Sequence, residues 1–201
     1  YFAKCGYLRR SGIPGMGSWF TTRSQSGGGP ILDLGVHALD LTMYLMDNFK
    51  PVGVMACKYA EFGPRGLGAG GWGTAVPGGP FDVEDLAAAL IKFENGATIF
   101  LEVSWAAHVG SGSFYSTLMG DKAGANLDPA TIYTDEMGHP VDKKLTVPSV
   151  DAYHAEHVHF HDCIVNNKKP MPSVEQGLAV QAVLDGIAES ADKGTSVSVS
   201  L

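Results

Sequence analysis

LAAALIKFENGATIFLEVSWA, residues 86–106, is the stretch on which the fold turns. Two apolar arms, about 86–93 and 97–107, flank Glu94-Asn95-Gly96. Asn-Gly is a strong hairpin signal, because a type I′ turn needs positive φ at both central residues. In the second arm Ile99, Leu101, Val103 and Trp105 alternate with Phe100, Glu102 and Ser104. Alternation puts the two sets on opposite faces of a strand, one buried and one partly polar. Such a pattern belongs to an open antiparallel sheet with one covered face.

Outward from this hairpin, residues 1–8 and 51–62 read as strands, and 114–119, 130–134 and 144–147 as shorter ones. Residues 31–46 carry helical periodicity, with Leu34, Ala38, Leu41 and Leu45 as the core stripe. Asp151 opens a second helix that runs to about Asn166. Val174 is placed as a hydrophobic staple before a helix from about Glu175 to Lys193. Val180, Leu184, Ile187 and Ala191 form its apolar stripe, and Gly194 its C-cap. TSVSVSL, residues 195–201, alternates as a final strand. Segments 9–29 and 63–80 are loops by composition, the second with eight glycines in 18 residues. The expected fold class is α+β: an open, predominantly antiparallel sheet with helices on one face. One domain, residues 1–201, accounts for it.

A net charge of −7 disfavours nucleic acid or an anionic membrane as the main partner. No apolar run approaches the roughly 20 residues that span a bilayer. Cys5, Cys57 and Cys163 form no CxxC pair, which suits a reducing, cytoplasmic setting over a disulfide framework. The chain opens YFAKCGYLRR with no initiator methionine and reads as mid-protein sequence.

Chemistry concentrates in SGGGPILDLGVHALDLTMYLMD, residues 26–47. Asp33, His37 and Asp40 are spaced four and three apart, so a helix presents them on one face. A histidine beside a carboxylate suits proton exchange with a substrate hydroxyl. An exposed i,i+4 contact, worth a few tenths of a kcal/mol, has the same spacing. Spacing alone leaves both readings open. HAEHVHFHD, residues 154–162, puts His154, His157 and His161 on one helix face and His159 off it. A metal-dependent hydrolase or lyase needs a third ligand from elsewhere; a half-buried helix face at a pocket mouth needs none. Arg9, Arg10, Trp19 and His154 fit the rim of a polar, sugar-sized pocket. The glycine-rich 63–80 segment has neither the P-loop Lys-Ser/Thr nor a strand–GxGxxG–helix context.

The stretch SGGGPILDLGVHALDLTMYLM resembles the second-domain signature of the Gfo/Idh/MocA oxidoreductase family, which includes glucose–fructose oxidoreductase and inositol dehydrogenase. The likeness extends through YFAKCGYLRRSGIPGMGSWFT before it and VEDLAAALIKFENGATIFLEVSW after it. It continues through GDKAGANLD to the closing EQGLAVQAVLDGIAESADKGTSVSV. The resemblance implies a C-terminal, dihydrodipicolinate reductase-like domain that shapes a substrate pocket and mediates homo-oligomer contacts through its open sheet face. It implies an N-terminal Rossmann domain, bound in cis, that holds NAD or NADP. The implied reaction is hydride transfer at a hydroxyl carbon of a sugar, cyclitol or polyol. Asp33 and His37 match the family's catalytic aspartate and histidine. The family's lysine, in Glu-Lys-Pro, has no counterpart: no Glu-Lys-Pro occurs, and Lys169-Pro170 lies far too late and in the wrong context. No cofactor-binding residue and no metal ligand is assigned, and the chain alone is expected to be inactive. A non-catalytic scaffold and an NAD-using glycosidase are the other readings within the resemblance.

Overall fold

The hairpin seeds a nine-stranded sheet. The computed structural model describes residues 1–201. β1 (Phe2–Leu8), β2 (Pro51–Tyr59), β3 (Leu86–Phe93), β4 (Thr98–Ser104) and β5 (Ser113–Met119) form its body. β6 (Gly124–Asn126), β7 (Thr131–Glu136), β8 (His139–Lys144) and β9 (Val197–Ser198) extend the two sides. The order is β8-β7-β6-β5-β1-β4-β3-β2-β9, open at both ends. All neighbours are antiparallel except β1 and β4, whose parallel pairing runs from Phe2↔Thr98 to Leu8↔Ser104.

Alternation sorts the central strands as expected. Ala87, Ala89, Ile91 and Phe93 of β3 and Ile99, Leu101 and Val103 of β4 are buried beside Ala3, Cys5, Val54 and Ala56. A short one-turn helix α1 (Arg23–Ser26) lies in the first long loop. The inner face is covered by α2 (Val36–Leu45) and α4 (Val174–Lys193). α4 contributes Ala179, Val180, Val183, Leu184 and Ile187, a helical stripe. On the opposite face Met55, Leu90 and Phe100 form a row across β2, β3 and β4, with Met55 48% and Leu90 42% exposed. α3 (Ala152–Val165) begins at its N-cap Asp151, whose carboxylate accepts from His154 N.

Five local expectations are corrected. The first helix begins as a π-helical turn over Ile31–Gly35, whose extra residue slips the register. The buried set is Ala38, Leu39, Thr42 and Met43, while Leu45 is exposed. Val174 is the first residue of α4 and largely exposed; Ser173 and Gln176 cap the helix in a reciprocal box. At Asn95-Gly96 only Gly96 takes positive φ, in a longer turn closed by Gly96 N to Phe93 O. A two-residue turn with both φ positive joins β7 to β8 at Met137-Gly138. A strand at 144–147 is replaced by β8, and β6 is a further short strand. α3 is also not a half-buried face: Cys163 is its one buried residue.

Candidate active site

The site grows from a buried acid. Glu84, 6% exposed, accepts from the backbone N–H of Gly29 (2.9 Å) and Ile31 (3.2 Å). A Cβ at position 29 would lie 2.1 Å from the Glu84 carbonyl oxygen, so only glycine permits this approach. The contact fixes the start of the π-helical turn that carries Asp33. The neighbouring acids pin two more loops. Asp85 Oδ2 accepts from Phe62 N (2.6 Å) and Gly63 N (2.9 Å), and Asp82 Oδ1 from Arg23 N (2.6 Å).

Asp33 Oδ2 accepts from Trp105 Nε1 at 2.7 Å, leaving Oδ1 without a protein donor. Trp105 is fully buried with Ile13, Leu34, Val83 and Ala106, and its backbone N–H donates to Asp85 O. The indole is therefore a rigid donor that sets the carboxylate's direction. His37, at the start of α2, is exposed and makes no hydrogen bond or ion pair with Asp33. The i,i+4 Asp33–His37 contact that the spacing left open does not form, and two separate relations stand in its place. Asp33 answers to Trp105, and His37 to Asp40. Burial pushes the Asp40 carboxyl above its usual range, and the charge of His37 holds it back.

The ends of the parallel pair bring a second group together. Arg9 N donates to Ser104 O, and Ser11 bridges to Ala106. Beyond them Arg9, Arg10, Ser11, Phe62 and His108 wall a recess of about 590 Å³. The Arg9 guanidinium reaches Tyr7 Oη (3.3 Å) and Gly12 O (3.4 Å) and lies over the Tyr7 ring. Its floor comes from the two long loops, which zip together: Gly12 N and Ile13 N donate to Gly68 O, and Gly70 N to Ile13 O. The structure thus joins Arg9 to Arg10 and leaves Trp19 and His154 apart from them. Trp19 stacks on Phe20, which meets Trp72 edge-on, at the outer part of the zipped loops. His154 sits exposed on the first turn of α3. Of the histidine cluster, His159 accepts from Met171 N at 3.0 Å, and His157 Nδ1 lies 2.6 Å from Tyr153 O within its own helix. No three His, Cys, Asp or Glu side chains converge as a metal-holding group.

Glu84, Asp85, Trp105 and His108 were not marked by sequence. The one available signal was three acids in four residues, 82–85, directly before a strand.

Residues 7–199 match the model of an oxidoreductase family's C-terminal alpha/beta domain, GFO_IDH_MocA_C. D-Glucoside 3-dehydrogenase of Escherichia coli (strain K12) is 33% identical over 204 residues, covering 99% of this chain and 56% of that protein. Levoglucosan dehydrogenase of Pseudarthrobacter phenanthrenivorans is 27% identical over 214 residues, covering 90% and 54%. A solved structure of levoglucosan dehydrogenase in complex with NADH shares the fold, with a TM-score of 0.82 at 21% identity, covering 99% of this chain and 58% of that one. The chain spans little more than half the length of the relatives it matches. No helix is long and apolar enough to cross a membrane.

Proposed function

The chain belongs to the Gfo/Idh/MocA oxidoreductase family, and on that premise we propose that it is the substrate-binding and oligomerisation domain of an NAD(P)-dependent sugar or polyol dehydrogenase. The observation that carries this reading is Asp33, aimed by a buried indole and followed one turn later by an exposed histidine. Similarity to a D-glucoside dehydrogenase and a levoglucosan dehydrogenase supports the substrate class.

The residues present do not form a cradle for a dinucleotide. The glycine-rich 63–80 segment leads into β3, and no strand–glycine turn–helix unit occurs. NAD or NADP would be held by a Rossmann domain outside these residues, and the hydride chemistry belongs to that cofactor. In this reading the chain handles the substrate. Asp33 Oδ1 accepts from a substrate hydroxyl and fixes the sugar's orientation. His37 exchanges the proton of the hydroxyl at the reacting carbon. Arg9 and Arg10 bind further polar groups, with Trp19 and His154 as outlying contacts. Residues 1–201 act as one domain in a cytoplasmic homo-oligomer, and by themselves turn over no substrate.

The test is steady-state kinetics on the full protein. Asp33→Asn and His37→Gln are each expected to lower kcat by about 10²–10⁴-fold while the melting temperature holds. Wild-type kcat in both variants would overturn the assignment.

A further inference from the structure

We propose that the recess walled by Arg9, Arg10 and His108 is an anion site that takes the carboxylate or phosphate of an acidic sugar. The proposal rests on the sugar-oxidoreductase reading for its sugar and on the recess alone for its charge. The chain as a whole is acidic, with 21 Asp and Glu against 14 Lys and Arg. Against that background the recess gathers two guanidinium groups and an imidazole, and no carboxylate lines it.

Both cations are free for a ligand. Neither Arg9 nor Arg10 enters any of the chain's ion pairs. The two acceptors of Arg9, a phenol and a backbone carbonyl, are neutral and distant at 3.3 and 3.4 Å, so its charge is uncompensated. The Tyr7 ring beneath it limits its motion. Arg10 is exposed and without a hydrogen-bond partner. His108 is steadied edge-on by Phe62, with ring centroids 4.8 Å apart. A guanidinium presents a planar fork of donors that matches a carboxylate or phosphate bidentately. About 590 Å³ lies within the range of small-molecule sites.

Position ties this recess to the reacting end. The segment Ser104–His108 touches both: Ser104 O holds Arg9 N, Trp105 Nε1 aims Asp33, Ala106 bridges Ser11, and His108 enters the recess. An acidic sugar could thus be anchored by its charge while a hydroxyl is presented to Asp33. A neutral sugar leaves the guanidiniums to water.

The experiment is calorimetric titration of the full protein with D-glucose, D-glucuronate, D-glucose 6-phosphate and inorganic phosphate. At least one acidic sugar is expected to bind about tenfold or more tightly than glucose, from charge-assisted hydrogen bonds. Whichever acid binds more tightly distinguishes carboxylate from phosphate. Arg10→Gln should erase the preference without changing the melting temperature, and Lys122→Gln, a charge control on the β5–β6 turn, should keep it. Equal binding of all three sugars, or a preference that survives the Arg9→Gln/Arg10→Gln double variant, overturns the proposal. So does failure of both acids and inorganic phosphate to bind. The oxidoreductase reading fails separately, by absent turnover on every sugar while the acid preference in binding persists.

Discussion

Glu84 shows how much one side chain can position. Its carboxylate satisfies two backbone N–H groups where the Asp33 turn begins. Glu84→Ala would leave both without an acceptor, at a cost of about 3 kcal/mol. The melting temperature should fall by roughly 6–12 °C; calorimetry showing a shift under about 2 °C would contradict the role. Cys5 gives a pH signature. Burial pushes its thiol from 9.0 up to about 12, against a smaller lowering by the Thr42 hydroxyl. Between those values the unfolded chain has lost a proton that the folded one keeps. Stability is therefore full below pH 9 and falls as pH rises towards 12. The loss from Cys5 at pH 10.5 is about 2 kcal/mol. Urea unfolding at pH 8.5 and 10.5 should show this slope, flattened in Cys5→Ala. Tyr115, raised by burial and by its bond to Glu102, adds a residual slope above about pH 10. Equal slopes in wild type and Cys5→Ala would refute the assignment.

Among the elements, α4 has the best-defined start. Ser173 Oγ accepts from Gln176 N and the Gln176 side chain accepts from Ser173 N. Ser173→Ala should cost about 1 kcal/mol, a fall in melting temperature of roughly 2–4 °C, whereas Val174→Ala, at an exposed position, should leave it unchanged. Equal melting of the two variants would deny the cap its role. Elements whose signals are local were legible in sequence. The alternation of β3 and β4, the Asp151 cap of α3 and the Gly194 cap of α4 all lie within a few residues of what they determine. The π-helical turn was not legible, because its start depends on Glu84, some 55 residues away. Glu84 itself reads as a surface acid until two distant amides are brought to it. β6 and β8 carry too little apolar alternation to announce themselves, and β8 is mostly exposed. At the candidate site, Asp33, His37 and Asp40 were visible on one helix face, but the partner of Asp33, Trp105, lies 72 residues away and is brought to it only by tertiary packing.

At the scale of the molecule, the sheet has one covered face and one bare one. The row Met55, Leu90, Phe100 on the bare face supports association of two copies through the sheet. Met55→Glu with Leu90→Lys keeps an attractive cross-strand pair while removing the apolar row. Sedimentation should then show a monomer where the wild-type protein is an oligomer; a wild-type monomer would sink the idea. The parallel pairing of β1 and β4 has a different consequence, in time. β1 is central, yet its two neighbours are residues 98–104 and 113–119. Such distant pairing slows folding, because long loops must close before it is rewarded. On the ribosome β1 must wait, unpaired, through the making of about a hundred more residues at roughly 5–20 per second. β1 spends several seconds as an open edge before the sheet closes around it.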